Sequence, residues 1–169
     1  MSKRALKKYL NSLDKEQLEE QILDLYERFG EVKTFYNFVF NPKEDKLVQD
    51  AKYKISKEYF PTTSRRPKAR RSVAQKHIKH FLKLGLDSLL LADVMLYNIE
   101  IAQAFSADRE IKEAFFRSMY KSFEEACGFI LANNLASEFI PRMHKIEVNT
   151  QEQEWPNKFR FEKLMDQFH

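Results

Sequence analysis

Three glycines in 169 residues leave this chain few places to make a positive-φ turn. Sheets built from tight hairpins depend on such turns, so a β-rich fold is disfavoured from the outset. Helix is favoured instead by the abundance of Lys, Glu, Leu and Ala. Hydrophobic residues make up 43% of the chain and 15 of them are Phe, which is ample for a sizeable core. No stretch alternates with period two over more than a few residues, and no repeat marks a solenoid. The expected fold is all-α: a compact single domain over 1–169 of seven to eight antiparallel helices joined by short connections. Within it, the polar run 149–154 reads as a linker to a C-terminal helix over 157–168.

Helix signals follow along the chain. Residues 2–10 form a short basic helix whose Leu6, Tyr9 and Leu10 are free to dock. Asp14 and Gln17 make a capping box, and Leu18, Ile22, Leu25 and Phe29 recur at helical spacing behind it. Gly30 either ends that helix or weakens a longer one, and 31–40 continues the helical phase. Asn41, Pro42 and Glu44 read as cap, N1 and N3 of a helix with Leu47, Ala51, Ile55 and Tyr59 on one face. After a loop over 61–71, Ser72 and Gln75 suggest a second capping box, opening a helix that Gly85 closes. Asp87 or Ser88 caps a helix over 88–105 that is apolar almost all round and so belongs at the centre. Ser106 or Asp108 opens the next helix, and Asn133 and Asn134 end it. A last long segment has to bend or restart at Pro141.

The charge is unevenly placed. Residues 61–86 hold eight Lys/Arg (Arg65, Arg66, Lys68, Arg70, Arg71, Lys76, Lys79 and Lys83) and no acid, so the rest of the chain is net −4. At about 100° per residue, Lys76, Lys79 and Lys83 share one stripe of their helix, opposite its apolar face. Loop and stripe together form a continuous cationic surface suited to phosphates, which Arg grips bidentately. Neutralising about five phosphates would give a log–log salt slope near −4.5. The competing use of these cations is pairing with acids of the same chain, Asp93 and Glu100 among them.

Other polar residues point to chemistry less strongly. His77 and His80 stand three apart, but nearby lysines repel a cation and no Cys or acid completes a ligand set. His144 and Glu147 lack a paired motif. No metal or other cofactor is expected. Asp93, Tyr97 and Glu100 draw a polar line on the central helix, which would suit either perturbed catalytic carboxylates or structural partners for Arg70, Arg71 or a Lys. Cys127, beside Glu124 and Glu125, has nothing to stabilise a thiolate and no partner for a disulfide. Trp155 is placed to anchor the last helix to the body or to a second copy.

The pieces 13–29 (LDKEQLEEQILDLYERF), 38–47 (FVFNPKEDKL), 68–81 (KARRSVAQKHIKHF) and 92–106 (ADVMLYNIEIAQAFS) resemble a family of small bacterial proteins known only as a domain of unknown function. The resemblance runs over most of the chain and is weakest after about residue 135. It implies a bacterial cytosolic setting and transfers no activity or catalytic residue.

The chain is thus expected to be a soluble, cytoplasmic, non-enzymatic protein. The first residues carry charge but no apolar run of a signal peptide. The longest apolar run, 89–95, is broken at Asp93 and is far short of the ~20 residues that span a bilayer. Its expected partner is a polyanion, most of all nucleic acid, bound through the eight basic residues above. The alternative is a helical scaffold that takes a protein partner or self-associates through its C-terminal helix.

Overall fold

A computed structural model describes residues 1–168, and among them every regular element is helical. These residues form nine α-helices and one terminal 3-10 turn, one or two helices more than the sequence suggests. They fall into two units, Met1–Lys43 and Glu44–His169.

The first unit holds α1 (Lys3–Leu10), α2 (Lys15–Arg28) and α3 (Gly30–Phe40). Ser2 caps α1, and the Asp14/Gln17 capping box opens α2 with both of its hydrogen bonds made. Phe29 leaves the helical region (φ −118°, ψ 111°), so Gly30 begins α3 instead of closing α2. Tyr26 and Tyr36 meet edge to face at 6.4 Å across the α2–α3 pair. No residue of α1–α3 is buried, and Leu6, Tyr9, Ile22, Leu25, Phe29, Phe35 and Phe40 are all exposed.

The second unit holds α4 (Glu44–Tyr59), α5 (Arg71–Leu84), α6 (Ser88–Ser106), α7 (Glu113–Ala132), α8 (Ala136–Glu152) and α9 (Lys158–Met165), then the turn Asp166–Phe168. Helix α6 is its axis, packing on α4, α5, α7 and α8. Asp87 caps α6 by accepting from the N–H groups of Leu89 and Leu90. Taken as a 19-residue helix and not as the run 89–95, α6 reaches a mean hydropathy of 1.2, long and apolar enough to cross a membrane. Its neighbours here are other helices, against which Leu91, Val94, Leu96, Ile99 and Ala102 are buried.

Three helix ends share one device. In the Schellman arrangement the residue after the helix turns left-handed, and the next one donates back into the last turn and packs an apolar side chain there. Gly85 (φ 75°) ends α5 this way, with Leu86 N–H donating to Phe81 O at 3.1 Å. Asn134 (φ 58°) does the same for α7, with Leu135 donating to Ile130 O at 2.9 Å. Glu154 (φ 52°) does it for α8, with Trp155 donating to Thr150 O at 3.0 Å. This last end explains why 149–154 is not a linker. Residues 149–152 complete α8, which continues through Pro141 without restarting, and the chain then reverses at Glu154. Trp155 drops into the core of its own unit against Phe115, Phe116 and Phe161, fastening α9 to α7.

Two helix starts differ from expectation. Pro42 lies outside α4, which begins at Glu44 and buries Val48 in place of Leu47. Ser106 remains in α6, and Arg109 folds back to donate to Phe105 O at 2.8 Å, so α7 begins only at Glu113.

Candidate polyanion interface

The basic loop is tied down at one residue. Glu58, in the last turn of α4, accepts the N–H groups of Lys68 (3.0 Å) and Ala69 (2.9 Å) on its backbone carbonyl. Its carboxylate takes the Arg70 fork, with Nε and Nη2 each at 2.8 Å. Ala69 reverses the chain in a left-handed conformation (φ 47°), a cost of about 1–2 kcal/mol for a residue with a Cβ. The loop from Pro61 to Lys68 is thereby closed at its base, while Thr62, Thr63, Ser64, Arg65, Arg66 and Pro67 stand in solvent. The Arg70 hydrogen bonds hold the Glu58 carboxyl below its usual range, against burial, and Lys68 adds to the effect.

Arg71 turns the other way. Its Nε donates to Ser122 at 2.7 Å and its Nη2 to Glu125 at 2.6 Å, joining α5 to α7. Gln75, expected in a capping box, instead donates to Glu125 at 3.0 Å. Helix α5 therefore starts at Arg71 with no side-chain cap on its first turn.

Of the eight predicted cations, Arg70 and Arg71 are thus engaged internally. Arg65, Arg66, Lys68, Lys76, Lys79 and Lys83 have no acid within 4.0 Å among the described residues. All six are exposed. Two adjoining grooves gather most of them. One, of about 300 Å³, is lined by Lys57, Pro61, Thr62, Arg65, Arg66 and Lys68. The other, of about 610 Å³, lies between α4 and α5 and is lined by Lys54, Lys57, Ser72, Val73, Lys76 and His77. Lys57, Glu58 and Arg70 border both. Lys79 and Lys83 sit farther along α5 and line neither.

The basic stretch as read from sequence left out Lys54 and Lys57, because it began at Pro61. The signal was available in their i, i+3 spacing one turn before the loop, which sets both beside the start of an antiparallel α5. Burial, then Lys54, His80 and Lys76, hold the His77 imidazole below its ordinary range.

Asp93 and Glu100 are not the partners of the basic stretch. Arg142, on α8, donates to both: Nε and Nη2 to Glu100 at 2.6 and 2.7 Å, and Nη1 to Asp93 at 2.7 Å. Lys52 of α4 closes the cluster on Asp93 at 2.5 Å and lies 5.2 Å from the Tyr97 ring centroid. Two cations and two anions balance, and the four groups bolt α4, α6 and α8 together. Burial pushes the Asp93 carboxyl up, but Lys52 and Arg142 outweigh it and hold it below its usual range. The Asp93 carboxylate is thus held ionised, which is the reverse of a group raised towards neutrality for acid–base work. Cys127 is buried and its thiol is pushed up to about 12, chiefly by burial. Among the described residues no group of three or more His, Cys, Asp or Glu is placed to hold a metal ion.

Fold and surface together define a small all-α protein whose two adjoining grooves are lined mainly by cations, most of them without an acidic partner among the described residues. The chain belongs to the family of unknown function DUF6155, which matches residues 1–169. Among curated proteins and among solved structures, nothing matches it.

Proposed function

We propose that the second unit binds a polyanion, most of all a nucleic acid, along the face made by the 61–68 loop and the α4–α5 groove, and that it acts by binding and not by catalysis. The observation that supports this is the adjoining of two grooves rich in cations that carry no acidic partner among the described residues: Arg65, Arg66, Lys68, Lys76, Lys54 and Lys57. A charge cluster of one sign within about a Debye length of itself attracts phosphates and raises their local concentration. The test is fluorescence anisotropy of the full chain with nucleic acids across a salt series. Replacing Arg65, Arg66 and Lys68 together by Ala should weaken binding of every sequence alike. It should also reduce the salt slope by about 2–3, at 0.7–0.9 for each phosphate no longer neutralised. An unchanged slope and affinity would defeat the proposal. Arg70 and Arg71 are poor choices for this test, since removing either also breaks an ion pair of the fold.

A second function has an observation of its own. The first unit leaves Ile22, Leu25, Phe29, Phe35 and Phe40 exposed, as an interaction scaffold would. Light scattering of the full chain and of a Phe35→Ser/Phe40→Ser variant would test self-association through that face. A monomer at every concentration would remove it.

A further inference from the structure

Within the basic stretch Phe81 is turned into the core and offers no ring to the charged surface, but α4 carries an exposed one beside it. Tyr53 is 56% exposed on the side of α4 that faces away from the core. The ammonium of Lys57, which borders both grooves, lies 4.1 Å from its ring centroid. Lys54, the next residue along, lines the α4–α5 groove. Phe60, the residue after α4, is partly exposed, packs edge to face on Phe105, and leads directly into the 61–68 loop. Arg65 and Arg66 follow with exposed planar guanidinium groups.

Resting on the polyanion proposal above, we infer that the ligand is a single-stranded nucleic acid, with a base stacked on the outer face of Tyr53 and its neighbouring phosphates held by Lys54, Lys57 and the loop arginines. Proteins that hold single strands combine a cationic groove with aromatic platforms, because every unpaired base offers a π-face. In a duplex those faces are already stacked on one another and an aromatic ring beside the groove gains nothing. Lys57 lies over one face of the Tyr53 ring and the residue is more than half exposed, so cation, ring and base would form one stack. Tyr53 makes no side-chain hydrogen bond that would give its ring another task among the described residues.

The experiment is anisotropy of the full chain with a labelled short oligodeoxythymidine and with a duplex of equal length, with inorganic polyphosphate as competitor. The single strand should bind more tightly than the duplex. Tyr53→Ala should weaken single-strand binding roughly 5- to 150-fold, the range of one lost base stack, and leave the concentration of polyphosphate needed to occupy the groove unchanged. Tyr53→Phe should restore the affinity, since the ring and not the hydroxyl carries the stacking. Duplex binding as tight as single-strand binding, or a Tyr53→Ala protein that binds the oligonucleotide as the parent does, overturns the inference while polyphosphate binding upholds the groove. If neither polyphosphate nor any oligonucleotide binds, the polyanion proposal falls and this inference falls with it.

Discussion

Replacing Arg142 by Met should destabilise the second unit by about 2–3 kcal/mol. Arg142 makes three charged hydrogen bonds at 2.6–2.7 Å, two to Glu100 and one to Asp93, and a longer one of 3.3 Å to the Asp93 carbonyl. Breaking a fully buried ion pair costs roughly 3–5 kcal/mol and breaking an exposed one roughly 0–1. The side chains of Arg142, Asp93 and Glu100 are 27%, 26% and 34% exposed, which places this cluster between those limits. Met keeps the aliphatic stem, so the loss isolates the guanidinium. Lys52 stays on Asp93, and Glu100 is the carboxylate left with no cation. Removing that carboxylate as well, by Glu100→Gln, should therefore recover part of the loss, a coupling of about 1–2 kcal/mol. Arg142→Lys should be only a partial substitute, because one ammonium cannot fork across both acids. Urea unfolding followed by the fluorescence of Trp155, the single and buried Trp, measures the parent, the Arg142→Met and Glu100→Gln single variants, their double variant and Arg142→Lys. A loss within about 0.5 kcal/mol for Arg142→Met, or strict additivity in the double variant, would refute the account of the cluster as the bolt of three helices. The same cluster sets an acid limb. The Asp93 carboxyl is lowered from 3.8 in the folded protein, so its contribution is present above that value and lost as pH falls through the lower one. In Arg142→Met that limb should flatten.

The left-handed helix ends give a pair of opposite effects. Gly85→Ala should cost about 1 kcal/mol in the same urea assay, all of it backbone strain, since an added Cβ meets nothing within 4 Å. Glu154→Gly should instead stabilise by up to about 1 kcal/mol, its exposed ion pair with Lys158 being worth little. The Cys127 thiol should resist alkylation at pH 8 in the folded protein and react promptly once urea exposes it; prompt reaction in the native state would contradict its burial. His77 faces Lys54, Lys57 and Glu58 on α4 and Arg70 and Lys76 on its own side of the groove. Its lowered value means that the fold is favoured above about 6.5 and loses stability as pH falls below, whereas a bound polyanion reverses the repulsion. Polyanion affinity should therefore rise as pH drops from 7.5 to 6, and His77→Gln should flatten that rise.

The all-α class is legible in the letters, because scarce glycine and helical periodicity are local properties that need no tertiary partner. The Asp14 capping box, the Gly85 stop, the Asp87 cap and the central place of α6 are legible for the same reason: each is decided within one turn, or by one helix's own face. So is the surface placement of Arg65, Arg66, Lys68, Lys76, Lys79 and Lys83. Packing between distant helices settles how the other charges are engaged. Gln75 is drawn from a local cap to Glu125, and Arg71 with it, because a charged acceptor on α7 outcompetes a neutral backbone group. Arg142 escapes sequence reading because its partners lie 42 and 49 residues away and nothing in the letters beside Pro141 announces them. The reversal at Glu154 has no glycine to mark it, and burial of Trp155 supplies the free energy that a glycine would have made unnecessary. Lys54 and Lys57 adjoin the basic stretch for the same physical reason: proximity across two packed helices is set by the core between them and is not written in either strip of sequence alone.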